Sequence, residues 1–418
     1  MNIWFISAYD TPEGQSSRTY DYSTELTAMG HKITFFTSSY SHFTHEERLK
    51  PGERWREEWF GKVRVIWLKT IPYKGNGLLR GANMLSNAWR AYWTGRSIKE
   101  KPDIIFGPSV PLFTGLSAYM LSMSKRCPFC FEVRDIWPQA LIDLGVISKR
   151  NPVTWLFRKI EVFLYRYANK IISVLPFAYK HICKYGIPPE RIVWFPNGVN
   201  LKRFSDCKPY SGGKADKLIV MYVGRFAAGH GIEVILQTAK RLQEDAISKT
   251  KFIFFGNGPQ KHRFQKMACE YNLENVDFRE AVPKNKVPQV LEEADLLIAS
   301  LQDIPIYRFG INLNKIYDYM ASGRPIIFAI NAPNNPVADA NAGISIPPED
   351  PQAMVEAIKS IFFMSPQKRR FLGKNGRKYA ETNYDICRLA KRLESILIEI
   401  AEREGNKADK KIRKVHET

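Results

Sequence analysis

The sequence predicts an α/β protein of two domains, each a doubly wound parallel sheet of the Rossmann type. Short apolar runs alternate with helical patterns along the chain, and 418 residues are too many for one ordinary core. A stretch of linker composition, residues 208–216, separates two such halves. We expect a first domain over 1–205, a second over 206–385, a terminal helix over 386–402 that packs back toward the first domain, and a disordered basic tail over 403–418.

The first domain opens with a strand, a loop, a helix and a second strand. Residues 2–8 form an apolar strand, the polar loop 10–18 follows, and the helix after it ends at Gly30. The loop has no GxGxxG, so a dinucleotide site is not signalled. It lies at the carboxyl end of the first strand, where open α/β sheets bind ligands. Gly14 and Arg18 are therefore candidate site residues.

Two stretches of the first domain, residues 78–98 and 152–172, mix aromatic with basic side chains. One interpretation is a pair of core-facing helices with solvated basic edges, and it accounts for most of the aromatic residues. The other is a pair of interfacial helices that place aromatic rings at lipid headgroup depth and cations on anionic lipid. Because both stretches belong to one domain of a very basic chain, the sequence favours partial membrane contact.

A later strand of the first domain ends in Glu132, Arg134 and Asp135, just before Trp137 and Pro138. Charges at one strand end are costly to bury unless they pair or bind a ligand. An ion pair is sufficient to explain Glu132 and Arg134. Asp135 at the tip is the better candidate for ligand contact.

The alternation of strands and helices restarts after the linker. An apolar strand over 218–223 leads into the glycine loop 224–231, and the next strand carries its own glycine turn at Gly256 and Gly258. Further elements are predicted at 232–242, 260–272, 276–278, 286–293, 296–299, 351–362 and 386–402.

The segment from Gly310 to Pro325 carries the clearest site signal of the second domain. It predicts a helix that ends at Gly323 and leads into a buried strand. Backbone N–H groups at a helix N-terminus can hold a phosphate, and Lys315 adds a full positive charge. Asp318, one turn further on, could accept hydrogen bonds from sugar hydroxyls. The alternative for this segment alone is an ordinary amphipathic surface helix.

Composition limits the partners of the chain. The formal net charge is +20, which favours a nucleic acid, an anionic membrane surface or a phosphorylated substrate. The sequence has no zinc-finger spacing and no aromatic RNA-binding motif, so nucleic acid is the weakest of the three. It has no apolar run long enough for a transmembrane helix, and its first residues form a strand rather than a signal peptide.

The six cysteines favour a reducing compartment over a disulfide scaffold, and we therefore expect a cytoplasmic protein. Cys127 and Cys130 have the CxxC spacing of redox and zinc sites, but no second pair accompanies them. Buried structural thiols are the favoured interpretation, and metal or redox use is the minor one.

Taken together, the motifs resemble glycosyltransferases of family 4 with the GT-B fold, over nearly the whole chain. Each motif is weak alone, whereas the set is specific. The matching residues are Pro196-Asn-Gly-Val-Asn200 with Phe204, Tyr222-Val-Gly-Arg225 with Gly231, Gly256-Asn-Gly-Pro259, Asn275-Val-Asp-Phe278, Ala294-Asp-Leu296, and Lys315 with Asp318 to Pro325. The segment Glu132 to Pro138 is similar to a subgroup that includes N-acetylfucosaminyl transferases of bacterial polysaccharide assembly, for O-antigen or capsule, which use lipid-linked acceptors.

The resemblance implies two Rossmann-like domains that face a central cleft, and it implies roles for individual residues. Arg225 and Lys315 would neutralise the donor diphosphate, and Asp318 would hold the nucleotide end. The implied donor-binding set is Gly14, Gly224, His230, Gly256, Asn312, Asn314 and Asp318. The candidate acceptor set is Arg18, Glu132, Arg134 and Trp137.

Two positions depart from the family pattern. The family often has lysine at the position of His230, so we expect the positive charge there to depend on pH. The paired glutamates of the family, eight positions apart, correspond here to Gly310 and Asp318. The first carboxylate is absent and the second is one methylene shorter, although the subgroup includes this variant.

The expected chemistry is transfer of a sugar with retention of anomeric configuration. In this family the leaving phosphate takes the acceptor proton; Asp135 could instead orient or deprotonate the acceptor. The sequence has no Asp-x-Asp motif, and we expect no metal cofactor. The implied substrates are a UDP-sugar, with GDP left open, and a lipid-linked polyprenyl-diphosphate or glycan acceptor at the inner face of the cell membrane.

Two alternatives stay open at this point. A nucleotide-sugar 2-epimerase has the same architecture and uses the same donor, but it leaves the basic aromatic stretches unexplained. A degenerate, non-catalytic binding protein would fit the loss of the glutamate and the lysine. Incubation with a UDP-sugar alone tests the first, and nucleotide affinity tests the second.

Overall fold

The computed structural model describes residues 1–12, 18–42, 44–75, 77–213, 217–245 and 249–416, with side chains as far as Glu402. Contacts divide the chain into two compact units. The first unit consists of Met1–Pro196 with Ile386–Thr418, and the second is Asn197–Asp385.

The first unit contains, within the described residues, an eight-stranded sheet in the order β3-β4-β2-β1-β5-β6-β7-β8. All neighbouring strands are parallel except β3 and β4, which pair antiparallel at one edge. The central strands are continuous apolar runs because helices cover both faces of the sheet. The strands are β1 (Asn2–Ile6), β2 (Lys32–Ser38), β3 (Trp55–Phe60), β4 (Val63–Leu68), β5 (Ile104–Pro108), β6 (Phe129–Val133), β7 (Lys170–Ser173) and β8 (Ile192–Trp194).

Helices connect the parallel strands of this unit, and they follow from local sequence signals. For example, Asn151 caps one helix by accepting from the Val153 N–H, and Pro152 occupies the first turn. The helices are α1 (Arg18–Ala28), α2 (Leu78–Ser97), α3 (Leu112–Lys125), α4 (Gln139–Asp143), α5 (Pro152–Tyr167) and α6 (Tyr179–Ile182).

The second unit contains a six-stranded parallel sheet, in the order β11-β10-β9-β12-β13-β14 for the part of the chain described. Its strands are β9 (Leu218–Val223), β10 (Thr250–Phe255), β11 (Val276–Arg279), β12 (Leu296–Ser300), β13 (Ile326–Ala329) and β14 (Gly343–Ile346). Its helices are α7 (Ile232–Glu244), α8 (Lys261–Glu270), α9 (Val287–Leu291), α10 (Asn314–Ser322), α11 (Pro336–Asp339), α12 (Pro351–Phe363) and α13 (Pro366–Asn383). Two apolar clusters, one on each face of the sheet, form the core.

The segment after Pro196, which sequence composition placed in the first domain, packs in the second unit. The Val199 N–H donates to the Tyr384 carbonyl at 2.8 Å, and Phe204 is buried in the core. These contacts explain why the boundary between the units lies after Pro196 and not after residue 205.

The final helix, α14 (Ile386–His416), belongs to the first unit. Its apolar side chains, from Ile386 to Ile400, join Tyr22 and Leu26 of α1 and the odd-numbered side chains of β1 in one cluster. The His31 Nε2 lies 2.7 Å from the Glu394 Oε1 beside this cluster. The helix continues past the predicted end at 402, so the expectation of disorder is wrong as far as His416, whereas the side chains after Glu402 and the last two residues lie outside the described part.

The two thiols of the CxxC spacing are structural groups. Cys130 is fully buried in β6, and burial raises the pKa of Cys127 to about 12. Both thiols therefore stay protonated near neutral pH, which disfavours metal or redox use. Among the described helices, none is long and apolar enough to cross a bilayer.

Candidate active site

The carboxyl end of β9 is joined to the glycine turn after β10 by backbone hydrogen bonds. The Gly224 N–H donates to the Phe255 carbonyl at 2.9 Å, and the Phe226 N–H donates to the Asn257 carbonyl at 3.0 Å. Gly256 has a φ of +154°, and a Cβ there would collide with the Gly224 carbonyl. The close approach that requires glycine at 256 is thus made by the protein's own backbone, and a donor role for Gly256 stays a prediction.

Lys315 of α10 reaches the end of β9. Its Nζ donates to the Tyr222 hydroxyl at 2.6 Å and lies 4.1 Å from the centroid of the Tyr222 ring. A Cβ at Gly224 would lie 2.7 Å from the Lys315 Nζ, so glycine at 224 leaves the space that the amine occupies. Burial lowers the pKa of Lys315 to about 7.

The backbone carbonyl of Arg225 accepts hydrogen bonds from two side chains near Lys315, those of Tyr222 and His230. The Tyr222 hydroxyl donates to it at 2.8 Å, and the His230 Nδ1 lies 2.8 Å from it. Because a carbonyl only accepts, Nδ1 of His230 carries the proton and Nε2 carries the lone pair. The Arg225 side chain is exposed.

His230 differs from its expected behaviour. Burial, followed by the charge of Lys315, lowers the pKa of His230 to about 3. The imidazole is therefore neutral near pH 7, and the predicted pH-dependent charge at this position is wrong for the ligand-free protein.

The N-terminus of α10 lies one residue before Lys315. The helix begins at Asn314 with no side-chain cap, and the Ile316 N–H donates to the Leu313 carbonyl at 3.1 Å, so the N–H groups of Asn314 and Lys315 are the ones left for other acceptors. It ends at Gly323, which has a φ of +70°. Every residue from Ile316 to Ser322 is buried, so the segment is a core helix and not an amphipathic surface one.

Asn312 and Asn314 bind the turn that opens the second unit. The Asn312 Oδ1 accepts from the Asn197 backbone N–H at 2.9 Å, and the Asn314 Oδ1 accepts from the Asn197 Nδ2 at 2.6 Å. Asn312 also accepts from the Tyr317 hydroxyl at 2.9 Å. These side-chain oxygens hold protein structure, which leaves their NH₂ groups and the helix N–H groups as the donors available for an anion.

Asp318, which the sequence predicted to accept hydrogen bonds from sugar hydroxyls, forms an ion pair with Lys284 in the structure. Its Oδ2 accepts from the Lys284 Nζ at 2.5 Å, and the residue is buried. Lys284 follows β11 in the chain and carries no motif. A sugar or ribose hydroxyl that reaches Asp318 has to share its carboxylate with this ammonium group.

Four charged residues of the first unit form one network of ion pairs at the carboxyl ends of β1 and β6. Arg134 pairs with the fully buried Asp10 at 2.8 Å and with Glu132 at 2.6 Å, and Arg18 pairs with Glu132 at 2.9 Å. Burial acts to raise the pKa of Glu132, but Arg134 and Arg18 outweigh it and hold the pKa at about 2. The expected ion pair of Glu132 and Arg134 is present.

Arg18 also binds backbone at the end of the unit. Its guanidinium donates to the carbonyls of Pro196 at 2.8 Å and Phe195 at 3.2 Å, and it lies 4.9 Å from the Tyr22 ring centroid. These contacts use Arg18 for structure, in contrast to the ligand role suggested by its loop position.

Trp137 and Asp135, neighbours in sequence, differ in exposure. Trp137 is buried and stacks on Phe157 at 5.9 Å, so it is a packing residue and not an exposed acceptor contact. Asp135 is an exposed residue as a whole, and no hydrogen bond or ion pair of its carboxylate is found within the described part of the chain. Desolvation by the surrounding protein raises the pKa of Asp135, against the lowering effect of Arg134.

Two matches to known families adjoin along the chain. Residues 12–203 match Glycosyltransferase Family 4, and residues 208–379 match Glycosyl transferases group 1. The chain belongs to the family 4 glycosyltransferases.

Relatives of this chain in bacteria are also named as glycosyltransferases. The putative colanic acid biosynthesis glycosyl transferase WcaI of Escherichia coli strain K12 is 21% identical over 286 residues, 65% of this chain and 69% of WcaI. The probable glycosyltransferase WbjE of Pseudomonas aeruginosa is 21% identical over 274 residues, 62% of this chain and 66% of WbjE.

Solved structures share the fold over almost the full length. Sucrose-phosphate synthase from Thermosynechococcus elongatus has a TM-score of 0.74 at 19% identity and covers 96% of this chain and 98% of its own. Anabaena HepE in complex with UDP-glucose has a TM-score of 0.68 at 15% identity and covers 96% of this chain and 100% of its own. The predicted GT-B fold is confirmed.

In each of the two units, some residues near the candidate site residues were not anticipated from sequence, and one expected residue lies outside the described part of the chain. Asp10 pairs with Arg134, and Lys284 pairs with Asp318. Both pairs join residues distant in sequence, so only the structure reveals them. The signal for Asp10 in the sequence is an acidic residue shortly after a buried strand. Tyr222 belonged to a quoted motif, but its contact with Lys315 spans 93 positions. Gly14, an expected donor residue, lies outside the described residues.

Proposed function

We propose that this glycosyltransferase moves an N-acetylated sugar from a UDP-sugar to a lipid-linked or glycan acceptor, with retention of configuration. The observation that carries the proposal is the position of the Lys315 amine over Gly224, beside the uncapped N-terminus of α10. A cation beside the first two N–H groups of a helix, at a strand end, suits a diphosphate. HepE, which shares the fold, was solved with UDP-glucose, and the name of WcaI refers to colanic acid biosynthesis, a polysaccharide pathway.

The charges of the cluster suit the departure of the diphosphate. Breaking the bond from the anomeric carbon to the phosphate oxygen leaves positive character on the sugar and negative charge on the nucleotide. Fixed cations and N–H dipoles aimed at that negative charge stabilise the transition state. Arg225, Lys315 and the first turn of α10 supply them in this proposal.

The acceptor proton goes to the leaving group. The acceptor hydroxyl attacks the anomeric carbon from the side on which the diphosphate departs, and the departing phosphate oxygen takes the hydroxyl proton. UDP and the glycosylated acceptor are the products, and the configuration is retained. No metal is required for these steps, and the first unit would bind the acceptor.

The low pKa of Lys315 predicts pH-dependent donor binding. Its amine is half protonated at about pH 7 in the free protein, whereas a bound diphosphate favours the ammonium form. We expect the Kd for UDP, the part shared by all donors of the proposed class, to rise by up to about tenfold per pH unit above pH 7. His230, with a pKa of about 3, stays neutral in the free protein over this range.

Calorimetry in two buffers of different ionisation enthalpy measures the proton uptake directly. The matched control is Lys315→Arg, since a guanidinium stays charged and its binding should vary less with pH. Equal pH dependence in both proteins would contradict the prediction.

Asp135 is proposed to orient or deprotonate the acceptor, because it is an exposed residue at the end of a strand and its carboxyl group has a raised pKa. Asp135→Asn is expected to lower kcat by about 10²-fold with little change in donor affinity. Full activity of this variant in steady-state assays would remove Asp135 from the mechanism.

The function is tested with a panel of UDP- and GDP-sugars against a polyprenyl-diphosphate-linked sugar acceptor, with and without EDTA. We expect one UDP-sugar to give product of retained configuration, at a rate that EDTA does not change. The same donors without acceptor test for a 2-epimerase. Formation of an epimer without acceptor, or lack of UDP affinity in folded protein, would contradict the proposal.

A further inference from the structure

Helices α2, α3 and α5 of the first unit turn a row of large apolar side chains toward solvent. The inner face of α2 is buried through Asn83, Met84, Asn87 and Ala91. The outer faces are not covered: Trp89 is 63% exposed and Trp155 is 65% exposed. We call the following exposed side chains the aromatic face: Leu85, Trp89, Trp93, Met123, Trp155 and Tyr167.

The three helices form one continuous layer. Gly95 of α2 packs against Leu121 of α3, and Tyr119 of α3 contacts Tyr167 of α5 with ring centroids 5.6 Å apart. Within the face, Trp89 and Trp93 lie 5.5 Å apart. The exposed apolar groups therefore lie on adjoining helices of one layer and are not dispersed over the unit, which is typical of an interaction site.

The charges on this layer have one sign. The single acid in the three helices, Glu161, is buried and pairs with Arg158 at 2.7 Å. Six further basic side chains lie along the helices: Arg80, Arg90, Arg96, Lys125, Lys159 and Arg166. Arg96 stands 5.6 Å from the Trp93 ring centroid and Lys159 stands 5.3 Å from that of Trp155.

We infer that the aromatic face docks this glycosyltransferase on an anionic lipid bilayer. Tryptophan and tyrosine rings beside lysine and arginine are the side chains that settle at headgroup depth, and exposed Leu85 and Met123 fit lipid better than nucleic acid. A second copy on the same face would set cation against cation. The inference rests on the proposed lipid-linked acceptor, because such an acceptor is found only in the bilayer.

The test is flotation of the full chain with vesicles of phosphatidylcholine alone or mixed equally with phosphatidylglycerol. We expect the chain to float with the mixed vesicles and not with the neutral ones. The double variants Trp89→Ser/Trp93→Ser and Arg96→Glu/Arg166→Glu should each lower the bound fraction about tenfold or more. High salt should release the wild type, because exposed charges are screened.

Matched controls separate the face from the general basic charge of the chain. Trp59 on the edge strand β3 is 60% exposed, and Arg370 is exposed on α13. Trp59→Ser and Arg370→Glu should leave flotation unchanged. Equal loss in the controls, equal binding to neutral vesicles, or a dimer in sedimentation that the Trp89/Trp93 change abolishes would overturn the inference.

Activity on a short, water-soluble acceptor separates this inference from the proposed function. The Trp89→Ser/Trp93→Ser variant should keep wild-type rates on that acceptor, since its side chains lie outside the cluster around Lys315. Lack of transfer by every variant would argue against the proposed function and would leave the flotation result standing.

Discussion

Lys315→Ala is expected to lower kcat/KM for sugar transfer by about 10²- to 10³-fold, with the fold intact. The amine that it removes is held on Tyr222 at 2.6 Å and lies beside Gly224, where the proposed diphosphate leaves. A preorganised cation in a partly desolvated site stabilises the leaving group more than water does. Arg225→Ala is expected to act in the same direction.

Steady-state kinetics with the best donor of the panel measure the effect, and circular dichroism checks the fold. Lys374→Ala is the matched control, because Lys374 is exposed on α13. If Lys315→Ala and Arg225→Ala both keep near-normal rates, the donor site is not where we propose it.

Glu132→Gln is expected to lower the free energy of unfolding of the first unit by about 3 kcal/mol at pH 7. The carboxylate lies between Arg18 and Arg134, and its removal leaves two largely buried guanidinium groups without their shared anion. The matched control is Glu381→Gln, whose partner Arg377 lies on the surface of α13. That pair should contribute less than about 1 kcal/mol.

Urea unfolding at several pH values measures this difference. The pKa of Glu132 is held at about 2 in the folded protein, below the value of about 4.3 for an unfolded chain. Its stabilising effect is therefore fully present above pH 4.3 and is lost as the pH falls toward 2. Unfolding midpoints that are equal for Glu132→Gln and Glu381→Gln at pH 7 would contradict the prediction.

Sequence periodicity was sufficient to predict most of the fold, because buried parallel strands are near-continuous apolar runs. Strands β9, β10 and β12 were all found from such runs, and Gly323 ended α10 as predicted. The antiparallel edge strand β3 was missed, since its residues alternate between exposed and half-buried and all six, Trp55–Phe60, are charged or aromatic.

The site was less predictable, because motif position does not reveal which polar partner lies nearby. The sequence placed Lys315 in the first turn of a helix, as the structure does. It did not predict the lowered pKa of Lys315, because that shift comes from burial. Asn312, Asn314 and Arg18 were all expected to meet ligands, and each binds protein groups in the structure.

The sequence by itself determined the α/β class, the two-domain division and the family, because these follow from local apolar patterns and from motifs that each occupy a few residues. Only the tertiary structure decided the charge states and contacts: a neutral His230, Asp318 paired with Lys284, and a network that joins Asp10 to Arg18. These properties depend on desolvation and on side chains distant in sequence, and neither quantity is contained in a local pattern.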